Sequence, residues 1–205
     1  MQIDPQGLER RDMHEMMVAM IMPRPIAWIS TVDAQGIFNL APFSMFMNVS
    51  LKPPIICVGM GWKRGGQKKD TLRNIEASKE FVINVVDEDL VEAMNRTAAE
   101  YPPQIDEFRE AGLTAKKSSI VRAPRVAESP MSMECRLRQI MQFGEHPGGG
   151  FLVLGEVLLF HVLDELYLKG EIDLSKLRHV GRLGGKLYCR TRDSFEMERP
   201  GGEKV

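Results

Sequence analysis

Four stretches of this chain carry residues whose types and spacing could do chemistry. The first is PRPIAWISTVDAQGIFNLAPFSMF, residues 23–46, where Ser30, Thr31, Asn39, Ala41, Pro42 and Ser44 lie on and between two apolar runs. A proline-stiffened corner followed by a hydroxyl can turn backbone amides and Ser44 toward a flat ligand with a polar tail. The second is Lys68-Lys69-Asp70-Thr71, between a glycine-containing basic loop and a helical pattern. Amides at a helix start carry partial positive charge and receive phosphate readily, and the lysines and threonine hydroxyl would add charge-assisted bonds. It is no P-loop, because GxxxxGK[ST] is absent. The third is RHVGRLGGKLY, residues 178–188: Gly184-Gly185 permits close backbone approach, Arg182 offers a planar charged fork and Tyr188 a polar-tipped ring. The fourth is His146, on the glycine-rich segment FGEHPGGG.

Each stretch also has a plainer reading. The first could be a hairpin that satisfies its own backbone, the second an ordinary helix start beside a solvated basic loop. The third could be a barrel corner with a surface arginine, and the fourth an exposed histidine. His14, His161 and His179 show no metal-like spacing with His146 or with one another. No Ser-His-Asp order can be assembled, and Asp106-Glu107 reads as a solvated helix start.

The elements that must hold these residues follow from periodicity and turn chemistry. Residues 2–22 read as an extended arm leading into a short helical turn, broken at Pro23-Arg24-Pro25. Ile26 to Val32 is β-branched and aromatic, Asp33-Ala34-Gln35-Gly36 is a turn, and Phe38-Asn39-Leu40 is a second strand stopped by Ala41-Pro42. Ile55–Met60 follows Pro53-Pro54 as a third strand. Asp70 or Thr71 is expected to cap a helix through Leu72, Ile75 and Ala77. Phe81–Val86 is a strand, and Asp87 opens a helix through Leu90, Val91 and Met94. Residues 98–117 suggest one short helix within ordered loop. Strands are expected at 126–128, 133–143 and 151–162, then a short helix at 173–177 and a glycine-rich turn before Tyr188. Six or seven strands joined by short helices predict a mainly antiparallel sheet that closes into a barrel, one domain over residues 1–205.

Composition narrows the function classes. The chain is 43% hydrophobic and 27% charged, the balance of an ordinary globular protein. Its net charge of -1 gives no basic field for nucleic acid or anionic lipid. Cys57, Cys135 and Cys189 are dispersed and odd in number, matching neither a disulfide framework nor a CxxC metal site. The polar start shows no signal peptide, and the apolar segment at 16–22 is too short to span a bilayer. The cytoplasm is the expected compartment.

Taken in order, these pieces resemble the flavin reductase-like family with the FMN-binding split-barrel fold, closest to its flavoredoxin-like branch. The residues carrying the resemblance are PRPIAWIST (23–31), NLAPFS (39–44), KPP (52–54), KDTLRNI (69–75), EFVINVV (80–86), DEF (106–108), SMEC (132–135), GEV (155–157), RLGGKLY (182–188) and ERP (198–200). The resemblance implies a homodimer holding FMN non-covalently near the subunit interface. Asn39, Ala41, Pro42 and Ser44 would line the flavin ring, with Ser30 and Thr31 below it near the ribityl chain. Lys69 and Thr71, with Lys68, would hold the phosphate; Arg182 and the Gly184-Gly185 turn would close the pocket, with Tyr188 nearby. Gly144-Glu145-His146 partly matches a Gly-Asp-His segment that lies near the nicotinamide in related reductases. The implied activity is transfer of hydride from NAD(P)H to flavin and of electrons onward to free flavin, a ferric chelate or a protein, with no side chain acting as catalytic acid or base. The alternative is a flavoredoxin-type carrier that passes electrons between proteins without oxidising a nicotinamide.

Overall fold

The computed structural model describes residues 1–198 and 200–201, so Arg199 of the closing ERP motif lies outside the described residues. Helix α1 (Arg10–Met20) comes first, followed by strands β1 (Ala27–Val32), β2 (Phe38–Phe43), β3 (Met45–Leu51) and β4 (Pro54–Gly61). Next are α2 (Asp70–Ser78), β5 (Glu80–Asn84), α3 (Val91–Arg96) and α4 (Glu107–Ala111). The short strands β6 (Ala115–Lys116) and β7 (Arg125–Val126) lead into two long ones, β8 (Met131–Phe143) and β9 (Gly150–Val162). Small hairpins close the chain: β10 (Tyr167–Leu168) with β11 (Glu171–Ile172), and β12 (Val180–Arg182) with β13 (Tyr188–Arg190).

Seven strands form one antiparallel sheet in the order β2-β1-β5-β8-β9-β4-β3. Its two edge strands, β2 and β3, are consecutive in the chain and separated by Ser44 alone. One bent strand therefore serves both edges, which forces the sheet to curl into the expected barrel and leaves it split at Ser44. The fold is mainly β, with short flanking helices. No helix of the described residues is long and apolar enough to cross a membrane.

Period-two alternation places the core. Ala27 and Ile29 of β1 face the barrel interior with Val58, Phe81, Ile83 and Val153, and Leu72 and Ile75 of α2 plug that interior. Ile26 and Trp28 face outward, where Leu40, Met94, Phe108 and Ala111 cover them under α3 and α4. Both faces of β1 are thus buried, and Trp28 Nε1 finds its partner in Thr97 Oγ1 at 2.8 Å. A Cβ on Gly155 would sit 2.5 Å from the Phe81 ring, so the close approach of β9 to the core requires glycine.

Four local expectations need correction. The helix before Pro23 is three turns long, as its run of Met, Ala, Arg and Glu favours, and only Val18 of it is buried. Arg24 secures its end, donating to Val18 O at 2.9 Å, Ile21 O at 3.1 Å and, across the fold, Leu183 O at 2.9 Å. Ala41-Pro42 does not stop the second strand: β2 has a ladder partner on one side only, so the missing Pro42 N–H costs no bond there. Residues 45–51, given no strand in the sequence reading, are β3. Neither Asp70 nor Thr71 caps α2; Lys69 occupies the N-cap and no side chain bonds the free amides. The hairpin turn at residues 33–36 is as expected, with Gly36 at φ +87° and Asp33 Oδ1 accepting from the Gln35 and Ile37 amides.

Candidate functional site

The end of β2 faces the start of α2, and a groove runs between them. Its walls include Asn39, Ala41 and Pro42 from β2, Lys69, Asp70 and Thr71 from α2, and Tyr101 and Glu107 from the segment beyond α3. Five residues singled out from the sequence therefore meet here: Asn39, Ala41, Pro42, Lys69 and Thr71.

A buried hydrogen-bond chain fixes the wall. Thr71 Oγ1 donates to Asn39 Oδ1 at 2.7 Å, which orients the amide so that Asn39 Nδ2 donates to Glu107 Oε1 at 2.8 Å. Glu107 Oε2 accepts the Leu40 backbone N–H at 3.1 Å. The carboxyl thus ties α4 to β2 directly behind the corner. Burial pushes the Glu107 carboxyl up to about 7; the Leu40 and Asn39 donors oppose this, and the negative charge of Asp70 adds to it. Asp70 is itself held by Lys63 and Arg73.

The groove suits an anion at one end. α2 offers first-turn amides with no side-chain cap, and Lys69 stands at its N-cap. The opposing acids are muted, Asp70 by its two cations and Glu107 by its raised pKa. Near the backbone of Ala41 and Pro42 the wall is apolar and suits a flat ring. The groove encloses only about 60 Å³, well below the roughly 300–1,000 Å³ of an enclosed small-molecule site. β3 leaves Met45, Met47, Val49 and Leu51 each more than half exposed, on either side of a bulge between Asn48 and Ser50.

The other sequence candidates fall elsewhere. Ser30 and Thr31 are fully buried behind the groove. Ser30 Oγ donates to Pro124 O and accepts from Asn84, while Thr31 accepts from Asn74 and reaches Asn39 at 3.4 Å; they brace the wall from behind. Ser44 sits at the strand bend outside the groove lining. Lys68 is engaged by Glu76 at 2.5 Å, with its ammonium 5.5 Å from the Phe151 ring centroid. Arg182, Gly184 and Tyr188 belong to the β12–β13 hairpin, which does not line the groove; the Arg182 guanidinium stacks on Tyr188 at 4.3 Å. His146 lines a second cleft with Arg10, Trp62, Lys63 and Arg64.

Glu107 is the residue that sequence reasoning missed. It reads as solvated but is 6% exposed, and the signal was available: Glu107 shares a helix face with Ala111, one turn on, beside buried Phe108. Its neighbour Asp106 does cap the helix, accepting the Phe108 N–H at 3.0 Å.

Comparison with known proteins agrees with this architecture. Over 203 residues the chain is 37% identical to an uncharacterized protein of Halalkalibacterium halodurans, covering 98% of this chain and 97% of that one. The crystal structure of nitrilotriacetate monooxygenase component B from Bacillus cereus superposes with a TM-score of 0.91 at 36% identity, covering 96% of this chain and 98% of that one. The 2-nitrobenzoate 2-nitroreductase NbaA of Pseudomonas fluorescens gives 0.88 at 28% identity, over 100% and 99% of the two chains. Residues 18–173, which carry the barrel and both walls of the groove, match the model of the flavin reductase like domain, and the chain belongs to that family.

Proposed function

We propose that this protein is an FMN-dependent oxidoreductase that takes electrons from NAD(P)H and passes them to a separate acceptor. The observation that carries the reading is the convergence of the Asn39–Pro42 corner with the uncapped start of α2 in one groove. Lys69, Thr71 and the first-turn amides would hold the phosphate, and the backbone of Ala41 and Pro42 would lie against the ring. Asn39 would present an amide whose orientation Thr71 and Glu107 fix. When bound, the flavin supplies the hydride-accepting chemistry, so the protein has only to bind, orient and shield. Family membership supports a flavin. The neighbours support redox work too, since one is a monooxygenase component and the other a nitroreductase.

The reading includes a homodimer. A groove of about 60 Å³ needs a second wall, and the exposed apolar side chains of β3 are a surface that a second copy would cover. The test is titration of the purified protein with FMN, followed by anaerobic stopped-flow mixing with NADH and with NADPH. Saturable quenching of FMN fluorescence and rapid bleaching of the bound flavin are expected. An unchanged FMN spectrum would overturn the reading; tight binding without bleaching by either nicotinamide would leave a flavoredoxin-type carrier. Light scattering should give twice the 23.2 kDa chain mass.

A further inference from the structure

We infer that the cleft between the start of α1, the Trp62–Arg64 turn and the loop at 145–149 binds the 2′-phosphate-bearing half of a nicotinamide dinucleotide, making NADPH the preferred donor. The inference rests on the reading above and goes beyond it by choosing between the two nicotinamides.

The cleft is built by loops that hold one another. The turn after β4 is closed by Lys63 N to Gln67 O at 2.9 Å and Gly66 N to Lys63 O at 3.0 Å. The loop between β8 and β9 is closed by Gly149 N to Glu145 O at 2.8 Å. A Cβ on Gly149 would fall within 2.5–2.7 Å of the Gly144 and Glu145 backbone, so only glycine permits this path. The two loops meet where His146 covers Gly66: a Cβ on that glycine would lie 3.3 Å from the imidazole ring. A Cβ at Gly148 would lie 3.6 Å from Arg10 Cδ, which places the α1 arginine against the same loop. The space they enclose is about 520 Å³, within the range of small-molecule sites.

Its charge is one-sided. Arg10, Lys63 and Arg64 line it, and no aspartate or glutamate does. Lys63 is committed to Asp70, but Arg10 and Arg64 form no side-chain hydrogen bond or ion pair among the described residues. Free guanidinium forks suit a phosphate, which they can grip through paired N–H groups. The missing carboxylate matters equally. In Rossmann folds an acidic side chain accepts from the ribose hydroxyls, whereas arginine accommodates a 2′-phosphate, and the same chemistry carried to this cleft favours the phosphate. Trp62, packed on Phe151 at 4.7 Å between centroids, supplies an aromatic wall. Lys63 lines this cleft and the flavin groove alike, so a ligand here lies beside the proposed reaction site.

The test pairs binding with kinetics in the FMN-loaded protein. Calorimetric titration should show adenosine 2′,5′-bisphosphate binding at least about tenfold more tightly than AMP, with Arg10→Ala and Arg64→Ala each erasing most of that difference. The same variants should raise KM for NADPH by about tenfold while leaving kcat, the KM for NADH and FMN affinity unchanged. Equal binding of the two adenosine phosphates by the wild type would overturn the inference. So would loss of FMN affinity in the arginine variants, because the cleft would then serve the flavin phosphate. Discrimination between the adenosine phosphates without reduction of bound FMN would support this site and defeat the donor half of the proposed function. Rapid reduction by both nicotinamides without discrimination would do the reverse.

Discussion

Two buried glutamates, Glu107 and Glu134, face opposite fates in the same fold. Glu134 on β8 is fully buried and accepts from the Ser119, Ile120 and Val121 amides at 2.6–2.9 Å and from His161 Nε2 at 2.6 Å. Burial alone would raise its pKa, but the Ser119 amide, His161 and the other amides outweigh it and hold the carboxylate at about 2. Glu107 has two donors instead of four and Asp70 nearby, and burial wins, taking it to about 7. The difference lies in the number of donors aimed at each carboxylate. Where the loop before β7 wraps Glu134 completely, the charge is structural. Where a groove leaves Glu107 half-provided, the carboxyl stays poised to gain or lose a proton near neutrality.

The largest effect that would test this contrast is removal of Glu134. Glu134→Ala takes the ionised acceptor from three amides and the His161 ring together, and should cost about 3–5 kcal/mol, since hydrogen bonds to a charged group are worth about 1.5–3 kcal/mol each and the Ser119 and Ile120 segment is exposed enough to turn in part to water. Urea unfolding reads it, and a loss below about 1 kcal/mol would make the wrap incidental. The ionised wild-type side chain also carries an acid dependence. Its folded pKa lies below the unfolded value, so its stabilisation is full above about pH 4.5 and fades as pH falls toward 2.

Glu107 should give the opposite sign. Its folded pKa is above the unfolded value, so its contribution is complete below about pH 4.5 and lost as pH rises through 7. A displacement from 4.5 to about 7 corresponds to about 3 kcal/mol across that window. Glu107→Gln should flatten the slope of stability against pH between 5 and 8, leaving the protein more stable than wild type at pH 8. An unchanged slope would return Glu107 to a passive role. FMN affinity should follow the same proton: ionised Glu107 opposes a phosphate in the groove, so wild-type affinity should fall above pH 7, and Glu107→Gln should remove that fall.

The contrast also marks how much was legible in the residues. Alternation in β1, the turn at Gly36 and the apolar spacing of α2 are local signals, and each appears where periodicity places it. The corner and the helix start, about 30 residues apart, each showed its own backbone chemistry, but the family resemblance, not that chemistry, joined them as halves of one site. Glu107 was passed over because its neighbour Asp106 is a genuine cap and makes the pair read as a solvated helix start, although Ala111 one turn on marks the buried face. β3 escaped because its apolar residues Met45, Met47, Val49 and Leu51 lie exposed rather than in the core, and a bulge between Asn48 and Ser50 interrupts its period-two pattern. Ser30 and Thr31 lie behind the groove wall, and nothing in their sequence says that Asn84, Asn74 and Pro124 take up their hydroxyls.

The smallest expected effects come from two adjacent lysines and locate the anion within the groove. Lys69 lines it at the N-cap of α2, whereas Lys68 points to Glu76 and Phe151. Lys69→Ala removes one charge-assisted contact to the phosphate and should weaken FMN binding by about tenfold, a loss of about 1.4 kcal/mol. Lys68→Ala breaks a partly exposed ion pair worth at most about 1 kcal/mol to stability and should change FMN affinity by less than about threefold. Fluorescence titration of both variants at the same ionic strength decides between them. Equal losses would mean that the groove's field is diffuse, and that the low donor count at Glu107 does not reflect a site kept open for an anion. A larger loss from Lys68 would move the phosphate toward Phe151 and away from the Asn39–Glu107 wall altogether.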